Sequence, residues 1–355
     1  MSKLVVAVSG MNAVDSPGPG VPVLRSLKES KLNPTLIGFA YGTLEPGNFM
    51  QDLLDNSFLL PYPSSGPDVL LDRIKYIHSL VGINIIIPTL DSELDNYISI
   101  SPELKKMGIE VFLPTRKQLH TRDKTYLKES LANTDVLLPE TFTAQDVSAI
   151  RHITDNIGFP LFVKGVFYEA YLARNYEEAV GYFYALSAKW GIPIIFQKYI
   201  SGEECNVCAL AKDGEMIGGV IMKKLFLTDK GKAWAGVTID NEEAKQTSKK
   251  ILKFIGWNGG CELEFIIENK TGKMYLLEIN PRFPAWVYLA TAAGQNLPDA
   301  LIRLCLGEDI TPYTKYDVGK VFVRHSWDEI IPMEFIESLT MKGQLLDRKS
   351  EDNHE

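Results

Sequence analysis

The 355-residue chain is poor in the features that mark several large protein classes. It has four cysteines, too few for a disulfide framework and in keeping with a reducing, cytoplasmic setting. No apolar run approaches the roughly 20 residues that span a bilayer, so no membrane contact is expected. The opening MSKLVVAVSGMN carries one lysine and a short apolar stretch and reads as a first strand, not a signal peptide. No G-x-x-x-x-G-K-S/T occurs, which removes the P-loop as a source of nucleotide binding. The first loop, SGMNAVDSPGPG, is rich in glycine and proline but lacks the G-x-G-x-x-G spacing, so a dinucleotide-binding reading is left without its fingerprint. A basic excess is missing as well: 37 Lys and Arg stand against 45 Asp and Glu, a formal net charge of -8, which argues against nucleic acid as the main partner. Cys205 and Cys208 form a lone C-x2-C on a strand-like segment. An offset of three puts the thiols on opposite faces and no second pair follows, so they read as buried thiols, not a zinc site.

What is present is globular: 45% hydrophobic and 23% charged residues, with length for two or three domains. Residues 1–115 alternate strand and helix signals: LVVAVS, VPVLRSLKES, NPTLIGFA, DVLLDRIKYIHSLV, INIIIPT, SPELKKMG and IEVFLP. That order predicts a parallel, doubly wound α/β sheet. From residue 116 the pattern becomes α+β. TRDKTYLKESLANT reads as a helix and PLFVKGV as a strand. NYEEAVGYFYALSAKW is a helix with a core stripe of Tyr176, Val180, Phe183 and Tyr184. A hairpin is expected about Asp213-Gly214, then a helix over NEEAKQTSKKILKFIGW. The final LLDRKSEDNHE is charged enough to be disordered.

The most informative stretch is ELEFIIENKTGKMYLLEINPR, residues 262–282. Strand alternation puts Glu262 and Glu264 on one face and Leu263 and Phe265 on the other; beyond the turn-like Asn269–Gly272, Glu278 and Asn280 share a face. A hairpin would bring Glu264 near Glu278, with Asn280 beside them, and like charges opposite each other destabilise a sheet. A Mg2+ ion would offset the repulsion, and hard oxygen ligands suit it. Taken alone, the cluster fits a solvated acidic strand face equally well.

Upstream lie cations that could face phosphates: Lys124 after Asp123, Lys164 at the end of the apolar PLFVK, and Lys223 and Lys224 on IMKKLF. Each also reads as a surface charge. Lys164 does so least, because an ammonium among apolar neighbours is costly without an anion or water. QKYISGEE, with Gln197, Lys198, Tyr199 and Ile200, is a strand running into a turn. Its backbone could serve an adenine, and Glu204 could accept from ribose hydroxyls, with Glu203 the rival.

In this order the residues resemble the ATP-grasp superfamily, above all its carbamoyl-phosphate-synthase-like and D-alanine–D-alanine-ligase-like members, over roughly residues 1 to 310. The resemblance implies a parallel doubly wound N-terminal domain over 1–115, a central α+β lid subdomain over 116–196, a C-terminal α+β subdomain with an antiparallel sheet over 197–325, and an extension over 326–355. It implies that E-x-N-P-R (Glu278, Asn280, Pro281, Arg282) closes a nucleotide site. Glu264, Glu278 and Asn280 would hold one or two Mg2+, with Mn2+ as an alternative, and Lys124, Lys164, Gln197 to Ile200, Glu204 and Lys223 would bind ATP. One departure is the loop after Lys164, KGVFYEAYLARN, which has a single glycine where the family has a glycine-rich cover. LTDKGKAWAG, with Lys230 and Lys232, is the candidate lid in its place.

The implied chemistry is ligation. A small-molecule or peptide carboxylate is activated as an acyl phosphate and joined to an amine, with ADP released and Arg282 steadying the oxyanion. A phosphoryl-transferring kinase and a non-catalytic nucleotide-binding protein are the alternatives; a biotin-dependent carboxylase would be expected to bring a carrier domain, and none is read. For the acceptor, the loop Ser16–Gly20, Asp91 and Glu93 are candidates. Phe283, Trp286 and Tyr288 read as core more than contact. A homodimer is compatible with the reading.

Overall fold

The computed structural model of the chain describes residues 3–14, 17–123, 125–166, 169–228 and 231–346. They divide into two compact units. The first holds residues 1–118, 206–262 and 280–355; the second holds 119–205 and 263–279.

The first unit begins with the predicted parallel sheet, in the order Gln344–Leu345, Asn56–Leu59, Thr35–Ala40, Val5–Ser9, Ile85–Ile87. VVAVS is buried at every position. It is apolar throughout because a doubly wound strand is covered on both faces. The alternation sorts the two covers. Val6, Val8, Leu36 and Ala40 enter one core; Val5, Ala7, Ile37 and Phe39 enter the other, with Ile74, Tyr97 and Leu104 from helices Pro67–Val81 and Leu94–Lys106. Helix Pro67–Val81 starts on a proline and stops at Gly82, whose left-handed backbone (φ 67°) lets its N–H reach back to His78.

Three details differ from the sequence reading. IEVFLP contributes only an isolated bridge, Ile85 to Glu110, not a full strand. NSFL, flanked by 3-10 turns, is a parallel strand that its short run concealed. The outer edge of the sheet is an antiparallel strand, Gln344–Leu345, paired to Ser57–Phe58 and following helix Met333–Lys342. Residues 347–355, expected to be disordered, lie outside the described residues.

The second unit has a four-stranded antiparallel sheet, Thr141–Ala144, Ile194–Lys198, Leu161–Lys164, Ala170–Ala173. Helices Ala149–Ile157 and Tyr176–Trp190 cover one face, closing over Leu161, Val163, Phe183, Leu186 and Phe196. Asn175 caps the second helix by accepting from the Glu178 N–H at 2.8 Å. Its expected stripe is narrower than read: Phe183 is buried, but Tyr184 is 55% exposed. In TRDKTYLKESLANT, read as one helix, only Leu127–Ser130 forms a helix of its own; a separate short helix, Arg116–Thr121, ends at its first residue. Between them Asp123 accepts from both the N–H and the hydroxyl of Thr125, a local turn that competes with helix.

A six-stranded sheet runs Met274–Asn280, Gly259–Glu268, Gly202–Lys212, Glu215–Leu227, Ala233–Thr238, Val321–Val323. The chain passes between the units within the first three of these strands. The Asp213-Gly214 turn falls where expected, with φ of 50° and 82°, values that a tight two-residue hairpin requires. Cys205 and Cys208 are buried free thiols; burial pushes the Cys205 thiol up to about 12. Among the described residues no helix is long and apolar enough to cross a membrane.

Candidate functional site

In the second unit, one sheet face is spent on the helices and the other carries the candidate chemistry. The register sets Thr141 opposite Gln197, Thr143 opposite Ile195, and Lys164 opposite Ile195. Cross-strand partners share a face. Lys164 and Gln197 therefore lie opposite to Val163 and Phe196, and wall a cavity of about 520 Å³ whose lining also includes Lys128, Leu138 and Leu277. That volume is within the usual range for a small-molecule site. Lys164 Nζ donates to Gln197 Oε1 at 2.7 Å, and Gln197 Nε2 donates to Thr141 Oγ1 at 3.2 Å. The ammonium also lies 5.2 Å from the Phe162 ring centre, a further reason it is tolerated beside apolar neighbours. Gln197 and Ile200 are buried, Lys198 and Tyr199 exposed, and Glu204 half-buried where Glu203 is exposed, so the strand separates the two rival glutamates as alternation demands. Lys124 lies outside the described residues. The sequence reading missed the segment 125–143 as a cavity wall, for its apolar and polar residues follow no regular period.

The acidic hairpin forms as expected. Gly259–Glu268 and Met274–Asn280 are neighbours, closed by the Glu268 N–H to Lys273 O bond at 2.9 Å, with Gly272 at φ 70°. Glu264 and Glu278 are half-buried and Asn280 is 9% exposed. Among the described residues no group of three His, Cys, Asp or Glu side chains makes up a metal site by itself. The hairpin offers two carboxylates and an amide, and a Mg2+ held by one or two carboxylates completes its shell with water and phosphate oxygens. The donor chemistry therefore fits Mg2+.

In the first unit the same hairpin supplies a second cluster, centred on Glu262. This carboxylate is 5% exposed and accepts four side-chain bonds. Asn206 Nδ2 (2.9 Å) and Trp286 Nε1 (2.7 Å) reach Oε1; Asn280 Nδ2 (3.3 Å) and Arg282 Nη1 (3.1 Å) reach Oε2. Arg282 also pairs through Nε with Asp91 at 3.3 Å. Two carboxylates thus fix the guanidinium, and Asp91, expected to face an amine, faces this guanidinium. Glu93, also read as a candidate to face an amine, is likewise turned inward. It is 1% exposed and accepts from the Thr89 and Leu90 N–H groups at 2.8 and 2.9 Å and from the hydroxyls of Ser9 and Tyr41.

Other candidates are less gathered. Lys223 and Lys224 are half-buried on opposite faces, set against Val237 and Gly236. Lys232 is exposed, its carbonyl accepting from the Thr228 N–H at 2.8 Å, and Lys230 lies outside the described residues. On either side of the glycine-poor segment after Lys164, strands Leu161–Lys164 and Ala170–Ala173 pair antiparallel and Gly165 N–H donates to Glu169 O at 3.1 Å; Phe167 and Tyr168 lie outside the described residues. Phe283 and Trp286 are core; Tyr288 is half-exposed, under the Arg25 guanidinium at 4.0 Å. Of the Pro/Gly loop, Ser16 lies outside the described residues. Gly20 is needed because a Cβ there would sit 2.1 Å from Ser9 O.

A family described as ATP-grasp in the biosynthetic pathway with Ter operon matches residues 192–325. The biotin carboxylase domain dimer of the Hydrogenobacter thermophilus 2-oxoglutarate carboxylase, solved with MgADP, ADP and bicarbonate, superposes with a TM-score of 0.69 at 19% identity, over 90% of this chain and 74% of that one. The chain has the ATP-grasp fold. A second ATP-grasp neighbour, the N5-carboxyaminoimidazole synthetase of Staphylococcus aureus, gives 0.65 at 15% identity, over 90% and 81% of the two chains. Among curated relatives, the carbamoyl phosphate synthase large chain of Caldanaerobacter subterraneus subsp. tengcongensis is 25% identical over 272 residues, 69% of this chain. That of Clostridium perfringens is 23% identical over 231 residues, 60% of this chain. The chain spans about a quarter of the length of these relatives (25% and 21%).

Proposed function

We propose that the protein is an ATP-dependent, ADP-forming ligase that activates a carboxylate of a small molecule or peptide as an acyl phosphate and joins it to an amine. The observation that carries this reading is Arg282. A guanidinium braced by Glu262 and Asp91, two residues beyond Asn280, is of no evident use to a protein that only stores nucleotide. It suits a reaction in which negative charge develops on a carbonyl oxygen.

Lys164, oriented by Gln197, binds phosphate oxygens of ATP, together with Lys124 and Lys223. Gln197 to Ile200 and Glu204 take the nucleoside. Glu264, Glu278 and Asn280 hold one or two Mg2+, or Mn2+, which supply charge neutralisation on the phosphates. A carboxylate oxygen of the substrate attacks the γ-phosphorus, and the bond to the bridging oxygen breaks to release ADP. The amine nitrogen then attacks the acyl carbon, with Arg282 donating to the oxyanion. The C–O bond to phosphate breaks, phosphate leaves, and the ammonium proton passes to solvent. The four free thiols support a reducing, cytoplasmic setting.

The test is a screen of paired carboxylic acids and amines for phosphate release from ATP, with products identified by mass. Release that requires both substrates, with an amide product, is expected. A stable phosphorylated acceptor formed without an amine would make the protein a kinase, and nucleotide binding with no turnover on any pair would make it a binder. On the productive pair, Arg282→Ala should lower turnover by roughly 10²–10³-fold while leaving ADP affinity within about threefold. Near-normal turnover would remove Arg282 from the chemistry.

A further inference from the structure

We infer that Glu262, which no comparison singles out, is a positioning residue: its buried carboxylate sets the orientation of Asn280 and Arg282, and through Asn280 the strength of divalent-metal binding. The inference rests on the reading of Asn280 as a metal ligand. Three observations point the same way.

The first is which atom of Asn280 meets Glu262. A carboxylate accepts and cannot donate, so it selects the Asn280 amide nitrogen and leaves the amide oxygen, the hard donor that Mg2+ takes, on the other branch. In an isolated hairpin the two amide rotamers would differ little. Here the carboxylate decides between them.

The second is that Glu262 itself is fixed. Asn206 and Trp286 hold Oε1 while Asn280 and Arg282 share Oε2. Four donors on a side chain 5% exposed leave it little rotational freedom, so its orientation passes to the groups that it grips. The third is location. The chain leaves the first unit and returns at four places. At three of them the residue on this unit's side is Asn206, Glu262 or Asn280, and Glu262 bonds the other two. One carboxylate thus ties three strands at the points where the chain crosses, which gives the ligand-bearing strand a fixed reference. Groups that orient a metal ligand typically change metal affinity by 10–100-fold when removed.

The test uses the full chain with ADP and Mn2+ as probes, Mn2+ binding being read by electron paramagnetic resonance and ADP binding by calorimetry with and without metal. Glu262→Gln should weaken Mn2+ binding to the protein–ADP complex by about 10–100-fold and change ADP affinity in chelator by less than about threefold. The swapped pair Glu262→Gln with Asn280→Asp restores a donor facing an acceptor. Because Asn280→Asp alone also gives the metal a carboxylate, the pair is judged against that single variant: it should bind Mn2+ at least about tenfold more tightly, a gain that a merely structural role would not produce. Mn2+ affinity unchanged in Glu262→Gln overturns the inference. If Glu262→Gln fails to fold, a folded double variant that binds Mn2+ no more tightly than Asn280→Asp overturns it as well. Wild-type protein whose ADP binding ignores Mn2+ overturns the metal reading itself, and the inference with it.

Discussion

Glu93 and Glu262 are both buried in the first unit, both accept four hydrogen bonds, and their use is opposite. Glu93 bonds two N–H groups of its own loop and two neutral hydroxyls. Glu262 bonds only side chains, one of them cationic, from four places in the sequence. A carboxylate that grips backbone fixes the path of the chain. One that grips side chains fixes functional groups. Their electrostatic settings differ as well: burial among neutral donors holds the Glu93 carboxyl above the ordinary carboxylate range, and Glu262 is ion-paired to the Arg282 guanidinium at 3.1 Å.

The largest expected effect separates the two as scaffold and site. Glu93→Ala strands two backbone N–H groups and two hydroxyls and should cost about 3 kcal/mol or more of stability, read as a lower urea midpoint. A loss under about 1 kcal/mol would show that the loop does not depend on its carboxylate. A smaller effect concerns pH. Folded Glu93 keeps a proton that the unfolded chain gives up near pH 4.3, so its contribution is complete below that value and is lost as pH rises toward the raised folded value. Glu93→Gln should flatten that part of the stability profile, and an unchanged slope would assign the protonation to another group. The smallest effects come from single donors. Tyr41→Phe and Trp286→Phe each remove one bond from one of the two carboxylates and should each cost about 1 kcal/mol. Only the second should alter Mn2+ affinity; equal behaviour of the two variants in that assay would erase the contrast.

Much of the fold was legible because it follows from period. VVAVS and TLIGFA, apolar at almost every position, announced strands buried on both faces, and Asp213-Gly214 announced its turn. NSFL was not legible, since four residues between turns carry too little pattern, and a strand arriving from residue 344 has no local signal. The site divides likewise. Alternation placed Glu262 and Glu264 on one face, and an ammonium ending an apolar run marked Lys164. Which glutamate is buried depends on Trp286 and Asn206, brought in from distant sequence. Glu93 was misjudged for the same reason: its polar partners come from distant sequence, Ser9 at the end of one strand and Tyr41 just beyond another.

Gln344–Leu345 lies beside Asn56–Leu59, with Arg73 Nε on Leu59 O at 2.9 Å and Arg73 Nη2 on Gly343 O. Strand Asn56–Leu59 is therefore made long before the strand Gln344–Leu345 that covers its edge. At roughly 5–20 residues per second, the nascent chain carries an open strand edge for on the order of tens of seconds. During that interval neighbouring polysome products offer competing partners.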